Sequence, residues 1–151
     1  CSSDLTTTSN VINWNSSVGW YTNLPVAGQR LVTTPDLFNG AFIATLNAPP
    51  ANACGGGFTS VLLELNFLTG GAFTRPQFDL NGDKVINSAD TYNGAYVVGI
   101  GLSNSFANSP TVIGPNQNNN MILLITQSNG TQTTVINPNT SPRKIGWWQL
   151  K

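Results

Sequence analysis

An all-β fold of antiparallel strands, arranged as blade-like sheets, is what this sequence predicts, and three observations carry that prediction. Apolar residues come in short runs such as "SVLLELNF" and "NMILLITQ", each the length of one strand and too short to span a bilayer as a helix. Between the runs stand Asn, Gly, Ser and Thr, with turns at Asn39-Gly40, Thr69-Gly70-Gly71 and Asn129-Gly130 that tolerate positive φ. Two stretches also share one rhythm: "TTPDLFNGAFIATLN…SVLLELNFLTGG" from Thr33 and "NSPTVIGPNQNNNMILLITQSNGTQTTVINPN" from Asn108. Each runs through a proline, a short apolar strand, a turn, a longer apolar strand and a further strand, which is how propeller blades are built.

Taken in order, residues 1–18 are polar and weakly patterned, and read as an extended arm. Residues 19–151 read as a single all-β domain with blade-like units at about 19–75 and 92–151. Strands are expected in "GWYTNL", "RLVTTPDL", "GAFIATLN", "SVLLELNF", "AYVVGIG", "SPTVIG", "NMILLITQ", "QTTVINP" and "IGWWQL". Helix is expected only as one turn near Ser88 to Tyr92. Two blades cannot close a ring, so the expectation is a partial or modified β-propeller. Further blades would come from a longer chain, or neighbouring chains would cover the open strand edges.

Composition narrows the function classes. At 151 residues the chain is long enough for one core that buries roughly two-thirds of its unfolded surface. Six basic residues balance six acidic ones and histidine is absent. The chain is therefore no polycation that tracks a phosphate backbone, and no nucleic-acid partner is expected. Nucleophilic triads built on histidine are excluded. The glycine-rich "ACGGGF" lacks the lysine and the following helix of a phosphate-cradling loop.

Two cysteines, Cys1 and Cys54, lack C-x-x-C spacing and cannot form a tetrahedral zinc site on their own. A structural disulfide between them is the preferred reading. It would tie down the arm, stabilise the fold by roughly 4 kcal/mol in the chain-entropy model, and imply an oxidising compartment. The alternative is a lipid anchor at Cys1, since "CSSDL" is how a mature bacterial lipoprotein begins; Cys54 would then stay unpaired.

The richest chemistry lies in "FDLNGDKVINSAD", where Asp79, Asn81, Asp83, Asn87 and Asp90 fall at relative positions 1, 3, 5, 9 and 12. Three of the six acidic residues occupy this one loop. Calcium takes six to eight hard oxygen ligands, and a twelve-residue loop can wrap around it. The expected ligands are the side chains of Asp79, Asn81, Asp83 and Asp90, Asn87 directly or through water, and the backbone carbonyl of Val85, an EF-hand-like set with affinity in the micromolar range or weaker. Two features depart from that pattern: Lys84 stands where glycine is usual, and Asp90 replaces the longer Glu. Without a metal, the same residues would satisfy turn backbone groups through Asx-type hydrogen bonds.

Other polar and aromatic candidates have blander readings. Trp14, Trp20, Trp147 and Trp148 have the surface to stack on sugars, and Glu64 with an Asp would make an acid/base couple. Adjacent Trp147 and Trp148 on a strand point to opposite faces, however. Period-two alternation in "LLELN" predicts Glu64 on the solvent side or in a salt bridge. Sequons at Asn15, Asn129 and Asn139 arise by chance in so Asn- and Ser/Thr-rich a chain.

Four segments in order resemble a known family. These are "GWYTNLPVAGQRLVTTPDLFNGAFIATL", "NACGGGFTSVLLELNFLTGG", "FDLNGDKVINSAD" and "RKIGWWQLK". Together they look like the extreme C-terminal portion of the type IV pilus tip-associated adhesins and biogenesis factors of the PilC/PilY type. The resemblance implies a modified β-propeller, a calcium loop, export through the periplasm, and work at the pilus tip or cell surface. The implied partners are pilus subunits, other copies of the chain, and a host or surface ligand. The family's N-terminal adhesive region has no counterpart here, so adhesive specificity does not carry over. The resulting expectation is a calcium-binding, non-enzymatic module of a pilus-associated surface protein. Its alternatives are a self-assembling filament subunit and a secreted carbohydrate-binding module or enzyme.

Overall fold

A computed structural model describes residues 12–50, 52, 57–102 and 104–138. Eight strands form among them: β1 (Arg30–Leu31), β2 (Asp36–Phe38), β3 (Ala41–Ala48), β4 (Thr59–Asn66), β5 (Gly99–Gly101), β6 (Thr111–Ile113), β7 (Met121–Thr126) and β8 (Gln132–Asn137). All pairings are antiparallel. No helix occurs among the described residues, and none is therefore long and apolar enough to cross a membrane.

Strands β3, β4 and β5 lie side by side in a five-stranded sheet, while β1 and β2 both pair along the outer edge of β3. Strands β6, β7 and β8 form a second sheet of three. The repeated rhythm is thus real as two meanders, β2-β3-β4 and β6-β7-β8, and no closed propeller is present among the described residues. Asn39 (φ 51) and Gly40 (φ 78) turn β2 into β3 in two residues, the left-handed pair that the twist of a hairpin requires.

Three expectations are corrected here. "GWYTNL" forms no strand. Instead the Trp20 indole N–H donates to the Phe67 carbonyl at 2.8 Å, and its ring meets Phe42 edge-on at 6.2 Å. "AYVVGIG", expected in the second blade-like unit, supplies β5, which pairs with β4 in the first sheet. The turn at Ser88–Tyr92 is not helical, although the Asp90 N–H does reach the Asn87 carbonyl at 3.0 Å. Cys1, Cys54, "RKIGWWQLK" and residues 1–11 of the polar arm lie outside the described residues.

The core has two parts because the first sheet is covered on both faces. Ala41, Ile43 and Leu62 face the second sheet and pack with Phe78, Val97, Leu123, Ile125 and Val135. Leu46, Val61, Leu63 and Leu65 face the other way, under Trp20, Phe42 and Ala72. In the second sheet β7 alternates, with Met121, Leu123 and Ile125 buried and Ile122 and Leu124 half-buried. That is the pattern of a sheet with one fully packed face.

Polar side chains fix how the sheets meet. Asn47 on β3 holds the backbone of Ala107 from both sides, accepting its N–H at 2.8 Å and donating to its carbonyl at 3.0 Å. Ala107 in turn bridges to Gln127, just past β7. A single buried side chain thereby stitches the first sheet to the second.

Candidate metal centre in the 79–90 loop

The acidic loop belongs to the connection between β4 and β5, neighbouring strands of one sheet. Two apolar residues root its first end. Phe78 is 1 % exposed in the inter-sheet core, and Leu80 packs against the same cluster. Burying a side chain of Phe78's size is worth about 1.5–3 kcal/mol. Asp79 lies between them.

The carboxylates order the backbone around them. Asp79 accepts the N–H groups of Gly82 at 2.7 Å and Lys84 at 2.8 Å. Asn81 Oδ1 accepts the Asp83 N–H at 2.9 Å, and its amide donates to Asp83 Oδ2 at 3.1 Å. Asp83 Oδ1 accepts the Val85 N–H at 2.7 Å. Asn87 accepts the Ala89 N–H at 2.8 Å and donates to the Val85 carbonyl at 3.3 Å.

Asp90 closes the loop and is buried, at 1 % exposure. It accepts the N–H groups of Leu80 at 2.9 Å, Asn81 at 3.4 Å and Asn87 at 2.9 Å. One carboxylate thus gathers both ends of the loop. Three backbone donors around a buried charge are the compensation such burial needs.

All six residues expected as ligands are therefore brought into one loop, where they form the Asx-turn network of the metal-free reading. Among the described residues no group of three or more His, Cys, Asp or Glu side chains is placed to hold a metal. A cation here would need the mixed set that includes Asn81, Asn87 and the Val85 carbonyl. By donor chemistry that set fits: every ligand is a hard oxygen of the kind calcium takes. Each carboxylate has about four acceptor sites, and the hydrogen bonds to Asp79, Asp83 and Asp90 use two or three.

Lys84 adopts φ 67, so the position where glycine is usual does require the left-handed conformation. Glycine would be free of the roughly 1 kcal/mol that a side chain costs there. Its carbonyl is held by the amides of Asn118 at 3.2 Å and Asn120 at 3.4 Å, from the hairpin between β6 and β7. Sequence reasoning missed these two residues. Only their place in the amide-rich "NQNNN" marked them.

Glu64 departs furthest from expectation. It is fully buried rather than on the solvent side, and Asn137 Nδ2 of β8 lies 2.7 and 2.6 Å from its two oxygens. The same amide reaches the Gln77 carbonyl at 3.4 Å. Burial pushes the Glu64 carboxyl from 4.5 up to about 8, with the Asn137 hydrogen bond pulling the other way. Its place is between the packed sheets, on the face of β4 that meets β8. Trp20, a sugar-stacking candidate, is likewise engaged in packing, whereas Trp14 is half exposed. Trp147 and Trp148 lie outside the described residues.

No protein-family model and no curated protein matches the chain. In fold it is similar to the crystal structure of the Pseudomonas aeruginosa PilY1 C-terminal domain, with a TM-score of 0.55 and 20% sequence identity. The match covers 80% of this chain and 22% of that one, so the chain corresponds to about a fifth of its neighbour's length, and the shared property is the fold.

Proposed function

We propose that this chain is a calcium-stabilised, non-enzymatic module of a type IV pilus-associated surface protein. The observation that carries the reading is the 79–90 loop: six hard-oxygen donors in one connection, rooted in the inter-sheet core by Phe78 and closed by buried Asp90. The fold similarity to the PilY1 C-terminal domain and the four resembling sequence segments support the pilus association. Asp79, Asn81, Asp83, Asn87, Asp90 and the Val85 carbonyl would hold the ion. Bound calcium would neutralise the clustered carboxylates and lock the β4–β5 connection. At a free calcium concentration a hundredfold above Kd, binding would stabilise the fold by roughly 2.7 kcal/mol.

Calorimetric titration of chelator-stripped protein tests the metal. Micromolar or weaker binding with a calcium-dependent rise in Tm is expected, and absence of both defeats the reading. The pilus association is tested by deleting the gene in its own host. Loss of surface pili or of pilus-driven motility is expected, and unchanged piliation and motility would count against it.

A further inference from the structure

The turn at Lys84 is held from two directions. Asp79 accepts its N–H, and the amides of Asn118 and Asn120 donate to its carbonyl. Both peptide groups flanking a left-handed lysine are therefore engaged, one within the loop and one from the second sheet. The hairpin tip that presents the amides is itself built by asparagine. Asn116 Oδ1 accepts the N–H groups of Asn118 at 2.9 Å and Asn120 at 3.0 Å, and the Asn116 N–H donates to the Asn120 carbonyl at 2.7 Å. Asn119, between them, takes φ 60. Four of the five residues in "NQNNN" thus shape a hydrogen-bonded hairpin tip.

We infer that Asn118 and Asn120 are positioning residues for the 79–90 loop. They hold Lys84 in the left-handed turn that sets the following oxygens, and they tie the loop's conformation to the β6–β7 hairpin. A residue that disfavours this conformation is tolerated because a partner from another sheet offsets it. Ordering of the loop and ordering of the hairpin are then one event, so anything that fixes the loop also fixes the joint between the sheets. The consequence for cation affinity rests on the calcium reading; the clamp itself does not.

The test uses the full chain as wild type, as Asn118→Ala/Asn120→Ala, as Lys84→Gly, and as the three substitutions combined. In chelator, amide hydrogen exchange of residues 82–87 is expected to quicken about fivefold in the double alanine variant, a clamp of ordinary hydrogen-bond strength. Glycine at position 84 is expected to restore slow exchange, because it needs no clamp to turn left-handed. In calcium titrations the double alanine variant is expected to bind about fivefold more weakly, and the difference should largely vanish when position 84 is glycine. Unchanged exchange in the double variant, or equal quickening with lysine and glycine at 84, overturns the clamp. Wild-type calcium binding that the double variant leaves unaltered overturns the positioning role alone. A wild type that takes no calcium overturns the calcium reading and the affinity consequence, while the exchange measurement still decides the clamp.

Discussion

Glu64 and Asn137, 73 residues apart in sequence, meet between the two sheets, with the Asn137 amide nitrogen 2.7 and 2.6 Å from the Glu64 carboxyl oxygens. One side chain comes from the middle of β4 and the other from the end of β8. The pair is a second polar stitch beside Asn47 and Ala107, and it makes the joint sensitive to protons.

The pH dependence follows from burial. The folded-state value of Glu64 lies near 8, above the ordinary 4.5, so the fold prefers the neutral acid. The stability associated with that preference is fully present below about 4.5 and is lost as pH rises through about 8. The full span corresponds to roughly 5 kcal/mol at about 1.4 kcal/mol per unit. Glu64→Gln, neutral at every pH, should flatten the decline and be the more stable form at pH 8. Denaturant unfolding of both proteins at pH 5 and pH 8 checks this; parallel declines would contradict it.

Gly70 lies under Trp20. A Cβ there would sit 2.4 Å from the indole Cδ2, and the backbone takes φ 66. Gly70→Ala should therefore expel Trp20 from its packed position and destabilise the protein by about 2 kcal/mol or more. Red-shifted tryptophan emission in the native variant, along with a lower denaturation midpoint, is the expected signature. An unshifted spectrum would mean that the ring accommodates the methyl group.

Asp90 and Asp83 are expected to separate fold from ligation. Removing the Asp90 carboxylate strands the backbone donors of Leu80 and Asn87 in partly buried surroundings. Asp90→Ala should cost about 2–4 kcal/mol even in chelator. Asp83 is exposed, so Asp83→Ala should cost under about 1 kcal/mol in chelator while weakening any calcium response strongly. Melting curves with and without calcium give all four values. Similar losses for both variants in chelator would remove the distinction.

Asn47 offers a control away from the loop. Asn47→Ala leaves the Ala107 N–H without its side-chain acceptor in a buried site, and roughly 2–3 kcal/mol should be lost without change in calcium affinity. Chemical denaturation and calcium titration of that variant test both halves of the statement.

The strands were legible from sequence where their signal was local. "GAFIATLN", "SVLLELNF", "NMILLITQ" and "QTTVINP" all appear as strands within one or two residues, and Asn39-Gly40 forms the hairpin turn its residues require. Glu64 was misplaced because alternation implies a solvent side only for a strand with one face covered. Strand β4 is buried on both faces, and the near-continuous apolar run "VLLEL" was the available sign of it. "GWYTNL" has strand-forming residues, yet Trp20 is held by a tertiary hydrogen bond to Phe67 rather than by a ladder. "AYVVGIG" was recognisable as apolar and extended, but not by its partner.

By itself the sequence determined the all-β class, most strands, the hairpin turns and the spacing of oxygen donors from Asp79 to Asp90. These depend on the sterics of single residues and on side-chain period, which act over a few positions. Only the tertiary structure decided that β5 pairs with β4, that Glu64 sits buried beside Asn137, and that two asparagines from the other sheet hold Lys84 in its turn. Each of those is a contact between residues more than thirty positions apart. Local chemistry allows many such pairings, and packing the two sheets around one core selects among them.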